Sequence, residues 1–165
     1  MAETGPILIL EDFLPYRLSV LSNTVSRGIA SIYAERFNLS IPAWRVMAIL
    51  GRFSGLSAGE VAERTAMDKV AVSRAVAHLI KEGLLTRDFA DDDRRRSVLA
   101  LTEKGWSVYR EVVPLALEVE KDLLASLTLE EQETLSQLMG KLLDRALDME
   151  KTDKSPRRKA YGAVV

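Results

Sequence analysis

Apolar residues at Leu14, Leu18, Leu21, Val25, Ile29 and Ile32 recur every three or four positions, which predicts a helix from about Asp12 to Phe37. Asp12 is the expected N-cap, and Pro15 falls in the first turn, where its missing N–H costs nothing. Ser40 and Pro42 open a second helix, with its buried face expected at Trp44, Met47, Ala48 and Leu50 or Gly51 and its end near Ser54-Gly55. Ser57-Ala58-Gly59-Glu60 then has the form S-x-x-E, in which a hydroxyl and a carboxylate each satisfy a free backbone N–H at a helix start. That short helix should reach Arg64. Thr65-Ala66-Met67 makes a tight turn, Asp68 is the next N-cap, and a helix over 69–82 stops at Gly83. Two short helices joined by such a turn are a helix-turn-helix.

After Gly83 the period falls to two. Leu85, Arg87 and Phe89 alternate with Thr86 and Asp88, and Val98 and Ala100 with Leu99 and Leu101, which predicts two short antiparallel strands. The charged stretch between them, Asp91-Asp92-Asp93-Arg94-Arg95-Arg96, makes this hairpin a wing beside the helix-turn-helix. Thr102 should cap a helix running to about Ser126, with Pro114 interrupting and kinking it. Thr128-Leu129-Glu130-Glu131 is a second capping box. It opens a last helix whose apolar stripe is Leu135, Leu138, Met139, Leu142, Leu143, Ala146 and Leu147. The expected architecture is mainly α with a small β-hairpin: a winged helix-turn-helix domain flanked by N- and C-terminal dimerisation helices. Its segments are an arm (1–11), an N-terminal dimerisation helix (12–41), a winged DNA-binding domain (42–105), C-terminal dimerisation helices (106–150) and a mobile basic tail (151–165).

Composition narrows the chemistry. With 47% hydrophobic residues in 165, the chain can build an ordinary core, and its charged positions break every apolar run that would span a bilayer. Its start has neither the basic residues nor the long apolar stretch of a secretory signal, so a cytoplasmic protein without membrane contact is expected. No cysteine and a single histidine, His78, leave no thiolate zinc site or thiol switch; neither a metal nor another cofactor is expected. The net charge of −1 conceals segregation: residues 42–105 carry 11 basic and 9 acidic side chains, whereas residues 106–150 carry 4 and 10. A locally basic surface can bind a polyanion even on a neutral protein.

At 100° per residue, the helix over 69–82 turns Val72, Val76, Leu79 and Ile80 inward. Val70, Arg74, Ala77, His78 and Lys81 face outward, with Ala71 and Ser73 at the borders. Small residues permit close approach to DNA, and the Arg74 fork can donate twice to guanine O6 and N7. Arginines at a hairpin tip suit the narrow, electronegative minor groove, and a carboxylate such as Asp93 can orient one of them. Ser57, Lys69, Val70, Ala71, Ser73, Arg74, His78, Lys81, Asp93, Arg94, Arg95 and Arg96 are therefore the candidate contacts to double-stranded DNA.

Asp93-Arg94-Arg95, followed by Val98-Leu99-Ala100-Leu101-Thr102-Glu103-Lys104-Gly105, resembles the D-x-R and L-T-x-x-G elements of the multiple-antibiotic-resistance regulator (MarR) family, over roughly residues 12–150. The resemblance implies a dimeric winged-helix regulator, usually a repressor, that leaves DNA when a small, often aromatic, ligand binds. It implies that Arg95 is the wing arginine and Asp93 its orienting carboxylate. Ala90 to Asp92 departs from the Pro- or Gly-containing wing turns of many members. The family's ligand crevice would include Tyr16, Arg17, Asn23, Arg45 and Trp106, with aromatic rings to stack and guanidinium groups to meet an acid. Pro15-Tyr16-Arg17-Leu18-Ser19 resembles the start of members that regulate aromatic-acid catabolism, some of which sense acyl-CoA thioesters.

The flanking helices carry more apolar surface than a small wing domain can cover, so a second copy is the expected partner, met through Leu14, Leu18, Leu21, Leu135, Leu138, Leu142, Leu143 and Leu147. A twofold dimer would offer two recognition helices to half-sites about 34 Å apart, hence a pseudo-palindromic operator. The alternative is a winged helix used for protein contact without DNA binding. An enzyme is disfavoured, since no nucleophile–base pair, phosphate loop or metal-ligand spacing stands out.

Overall fold

The computed structural model describes residues 5–65, 67–89 and 97–152. Its helices are α1 (Leu14–Phe37), α2 (Ile41–Arg52), α3 (Ala58–Thr65), α4 (Lys69–Lys81), α5 (Glu103–Leu124) and α6 (Leu129–Thr152), with strands β1 (Leu85–Phe89) and β2 (Ser97–Leu101) between α4 and α5. The chain forms two compact units, Met1–Val119 and Glu120–Val165.

Within the first unit, α1 begins later than expected. Asp12 belongs to a short 3-10 turn, Leu10–Asp12, and the N-cap is Phe13, which has no capping side chain. Pro15 sits in the first turn as anticipated, and Asn38 ends the helix in the left-handed region at φ 53°. Ser40 does cap α2, its hydroxyl accepting from the Ala43 N–H at 3.3 Å. The buried face of α2 is Ala43, Val46, Met47 and Leu50; Trp44 and Ala48 are only half-buried. Periodicity identified the helix, but its roll is set by α3 and α4, which pack against it.

The helix-turn-helix closes as its caps require. Glu60 Oε2 accepts from the Ser57 N–H (2.8 Å) and hydroxyl (2.7 Å), while the Glu60 N–H donates to Ser57 Oγ (3.3 Å). The Asp68 carboxylate accepts from the Ala71 N–H at 2.8 Å and starts α4. Val72, Ala75, Val76 and Leu79 of α4 are buried, and Ile80, expected inside, remains 37% exposed. Ala75 draws the buried arc toward itself, which leaves Ile80 roughly 90° from the arc's centre.

β1 and β2 pair antiparallel with Leu85 opposite Leu101 and Arg87 opposite Leu99. Leu85, Leu99 and Leu101 enter the core. The Leu99 N–H also donates to Leu56 O at 2.9 Å, an extra bridge that a single residue between two helices could not announce by any period.

The L-T-x-x-G element has a steric origin here. The Thr102 hydroxyl donates to Gly83 O (2.8 Å) and accepts from the Gly105 N–H (3.0 Å), and the Thr102 N–H donates to Leu84 O (3.1 Å). This seats the first turn of α5 directly on the Gly83-Leu84 backbone, where Gly83 has φ +70°. A Cβ on Gly105 would lie far inside van der Waals contact of the Leu84 carbonyl oxygen. Gly105→Ala is therefore expected to destabilise the fold by about 1–3 kcal/mol, read as a lower urea midpoint at unchanged slope; an unchanged midpoint would show that the junction yields freely. Beyond it α5 runs unbroken through Pro114, so the expected interruption does not occur, and the helix ends at Leu124 rather than Ser126.

In the second unit the other capping box forms. Glu131 Oε2 accepts from the Thr128 N–H (2.8 Å) and hydroxyl (3.0 Å), bonds that hold the Glu131 carboxyl below its ordinary range. α6 reaches Thr152, so Lys151 and Thr152 extend the helix rather than opening the expected tail, whose remaining residues lie outside those described.

Candidate nucleic-acid interface

The outer face of α4 is presented by its burial pattern. Lys69, Val70, Ser73, Arg74, Ala77 and Lys81 are exposed and Ala71 is half-buried, while the opposite side packs on α2 and α3. Arg74 has no ion-pair partner among the described residues, so its guanidinium is available to an external acceptor. Val70 is 57% exposed at the N-terminal end of the helix, where it can meet a thymine methyl.

Two expected contacts are otherwise engaged. The Ser57 hydroxyl is committed to the capping box with Glu60. His78 is half-buried, and its Nε2 lies 2.9 Å from the Asn38 carbonyl oxygen. A carbonyl only accepts, so Nε2 carries the hydrogen and donates it to this bond. Asp93, Arg94, Arg95 and Arg96 lie outside the described residues.

One basic feature escaped the sequence reading. The guanidinium groups of Arg52, at the end of α2, and Arg64, in α3, lie 4.9 and 4.6 Å from the centroid of the same Phe53 ring. The ring's negative face attracts both cations and offsets their mutual repulsion, which concentrates positive charge on the helix-turn-helix surface. The adjacent Arg52-Phe53 pair was the available signal; Arg64 becomes its neighbour only in the fold.

Of the five expected ligand residues, two share one cleft. Tyr16 and Arg17 line an open cleft of about 440 Å³ along α1 with Glu11, Val20, Leu21 and Thr24. Asn23 is exposed and outside that lining. Arg45 instead donates to Ser26 Oγ at 3.3 Å. Trp106 packs edge-on against Tyr109 (5.4 Å), which continues through Trp44 (6.0 Å) to Tyr33 (5.7 Å). Apolar packing on the core holds Trp106 in this row. Burial raises the Tyr33 phenol above its ordinary range, and the Arg45 charge opposes that shift.

The apolar residues expected at a dimer interface are exposed in the single chain. Leu14, Leu18 and Leu21 lie open on α1, as do Leu135, Leu138, Leu142, Leu143 and Leu147 on α6. No helix among the described residues is long and apolar enough to cross a membrane.

A family model described as MarR family matches residues 37–96. The HTH-type transcriptional regulator BilQ of Clostridium symbiosum is 31% identical over 120 residues, which cover 71% of this chain and 83% of that protein. A MarR/EmrR family transcriptional regulator from Acinetobacter sp. ADP1 superposes with a TM-score of 0.78 at 25% identity, over 86% of this chain and 99% of the other. BpsR of Bordetella bronchiseptica, whose DNA binding is regulated by 6-hydroxynicotinic acid, shares the fold with a TM-score of 0.74 at 21% identity, over 85% and 99%.

Proposed function

The chain belongs to the MarR family of transcriptional regulators, and on that premise we propose that it is a homodimeric repressor that binds a pseudo-palindromic operator and leaves it when a small aromatic acid binds. The observation that carries this reading is the α4 outer face, where Val70, Arg74, Ala77 and Lys81 stand exposed on a helix held from behind by α2 and α3. A protein-docking helix would show large apolar residues there. Only Val70 is of that kind, since Ile80 sits on the flank. Arg95, oriented by Asp93, is assigned to the minor groove, with Arg94 and Arg96 beside it.

The second copy covers the exposed leucines of α1 and α6 and joins two half-sites about one helical turn apart. The effector belongs near Tyr16 and Arg17, where an aromatic ring can stack and a carboxylate can meet a guanidinium. BpsR, which answers to 6-hydroxynicotinic acid, supports that chemical class. The protein acts in the cytoplasm as a regulator, with no catalytic role.

Selection of the purified full chain against random double-stranded DNA tests this. The expected product is an inverted repeat whose complex dissociates on addition of hydroxylated aromatic acids. A pool that shows no enrichment would overturn the DNA-binding reading, and an operator complex indifferent to such acids would overturn the effector class.

A further inference from the structure

Resting on that reading of a twofold DNA-binding regulator, we infer that His78 is a positioning residue: its bond to Asn38 sets the placement of the recognition helix and so the half-site spacing the dimer accepts. Three helices of the first unit are tied in a closed triangle. At the C-terminal end of α4, the Glu82 and Gly83 carbonyls accept from Lys104 Nζ and the Thr102 hydroxyl, both at 2.8 Å, which anchors α4 to the first turn of α5. Arg36, in the last turn of α1, pairs with Glu111 of α5. His78 supplies the third side, from α4 to the Asn38 carbonyl at the end of α1.

Val72, Ala75, Val76 and Leu79 seat α4 on α2 and α3, and the His78 bond adds a directional tie from its flank to the end of α1, the helix that carries part of the proposed dimer face. His78 lies about one turn before the C-cap Glu82, on the flank of α4 between the buried arc and the face carrying Arg74, so its bond to α1 opposes rotation of that face. The target carbonyl belongs to Asn38, which occupies the left-handed conformation that ends α1, between the buried Tyr33 and Leu39. Base pairs are stacked about 3.4 Å apart, so a displacement of α4 against α1 of about half that, ~1.7 Å in each protomer, matches a one-pair change in spacing. A solvent-accessible hydrogen bond adds little to global stability. Its loss is therefore expected to change which DNA is bound far more than whether the chain folds.

The experiment takes the operator recovered by selection and varies the separation of its half-sites in single base-pair steps. Wild-type protein is expected to lose about tenfold in affinity for a one-pair change. In His78→Ala, and in His78→Asn, whose amide is too short to reach, that penalty should fall to about threefold or less. His78→Gln, long enough to donate from its amide, should restore it. The dependence of affinity on salt should stay the same in all variants, because no phosphate contact is lost. Thermal melts check folding, and if the alanine variant does not fold, the asparagine variant carries the comparison.

A spacing profile identical in wild type, His78→Ala and His78→Asn overturns the inference. So does a flatter salt dependence with spacing intact, which would make His78 a phosphate contact. A wild-type chain that selects no operator removes the reading of function and this inference together, whereas normal operator binding with unchanged spacing removes the inference alone.

Discussion

Replacing Leu142 and Leu143 together by glutamate is expected to yield a monomer that keeps its helix content and loses operator affinity by about 100-fold or more. Both side chains lie on the solvent face of α6 in the isolated chain, 46% and 60% exposed, so no core packing is lost in the unit that carries them. What is lost is the apolar contact with a second copy, and the new carboxylates would have to be buried in its place. A monomer can still dock one recognition helix, but the second half-site no longer binds as an intramolecular event. The loss should therefore be large on an intact inverted repeat and small on a single half-site. Sedimentation of the wild type and the double variant at micromolar concentration, with titrations on both DNAs, reads this directly. A wild type that is already monomeric, or a variant that remains dimeric, refutes the assignment of α6 to the interface.

Local chemistry was the legible part of this fold. Both capping boxes form with the predicted partners, because a box spans only four residues and needs nothing beyond them. Asp68 and Ser40 cap their helices for the same reason. On α2 and α4, where the outcome depended on what packs against the helix, the periodicity identified the helix and most of its inner face and misjudged the edges of that face. Val46 and Ala75 are buried although neither was expected there, and Ile80 is not, because three or four apolar positions on a short helix are compatible with neighbouring choices of inner face.

Asp12 failed as a cap for a different reason: a 3-10 turn consumes it before α1 begins. For the site, the outward set on α4 was readable from angle alone, whereas the fate of His78 was not. Its partner is a backbone carbonyl 40 residues away, and carbonyls leave no mark in a sequence. For the ligand residues, Trp106 and Arg45 were chosen for what they can bind, and the fold gives them neighbours, Tyr109 and Ser26, that their places in the sequence do not announce.

Arg74→Ala is expected to weaken binding to the selected operator by about 1–3 kcal/mol, roughly 5- to 150-fold, and to relax preference at one base pair in each half-site. Arg74 is exposed near the middle of the α4 outer face, without an ion-pair partner among the described residues, so removing it leaves no stranded charge in the protein. If the guanidinium reads guanine O6 and N7, the loss belongs to that base alone: unrelated DNA should lose far less, and the mutant should no longer distinguish guanine from other bases at that position. A phosphate contact gives the opposite signature, with a nearly uniform loss across sequences and a salt slope reduced by about one. Titrating wild type and Arg74→Ala on the operator, on single-base variants of it and on unrelated DNA at two salt concentrations separates these outcomes, and equal losses on every DNA would rule out base readout by Arg74.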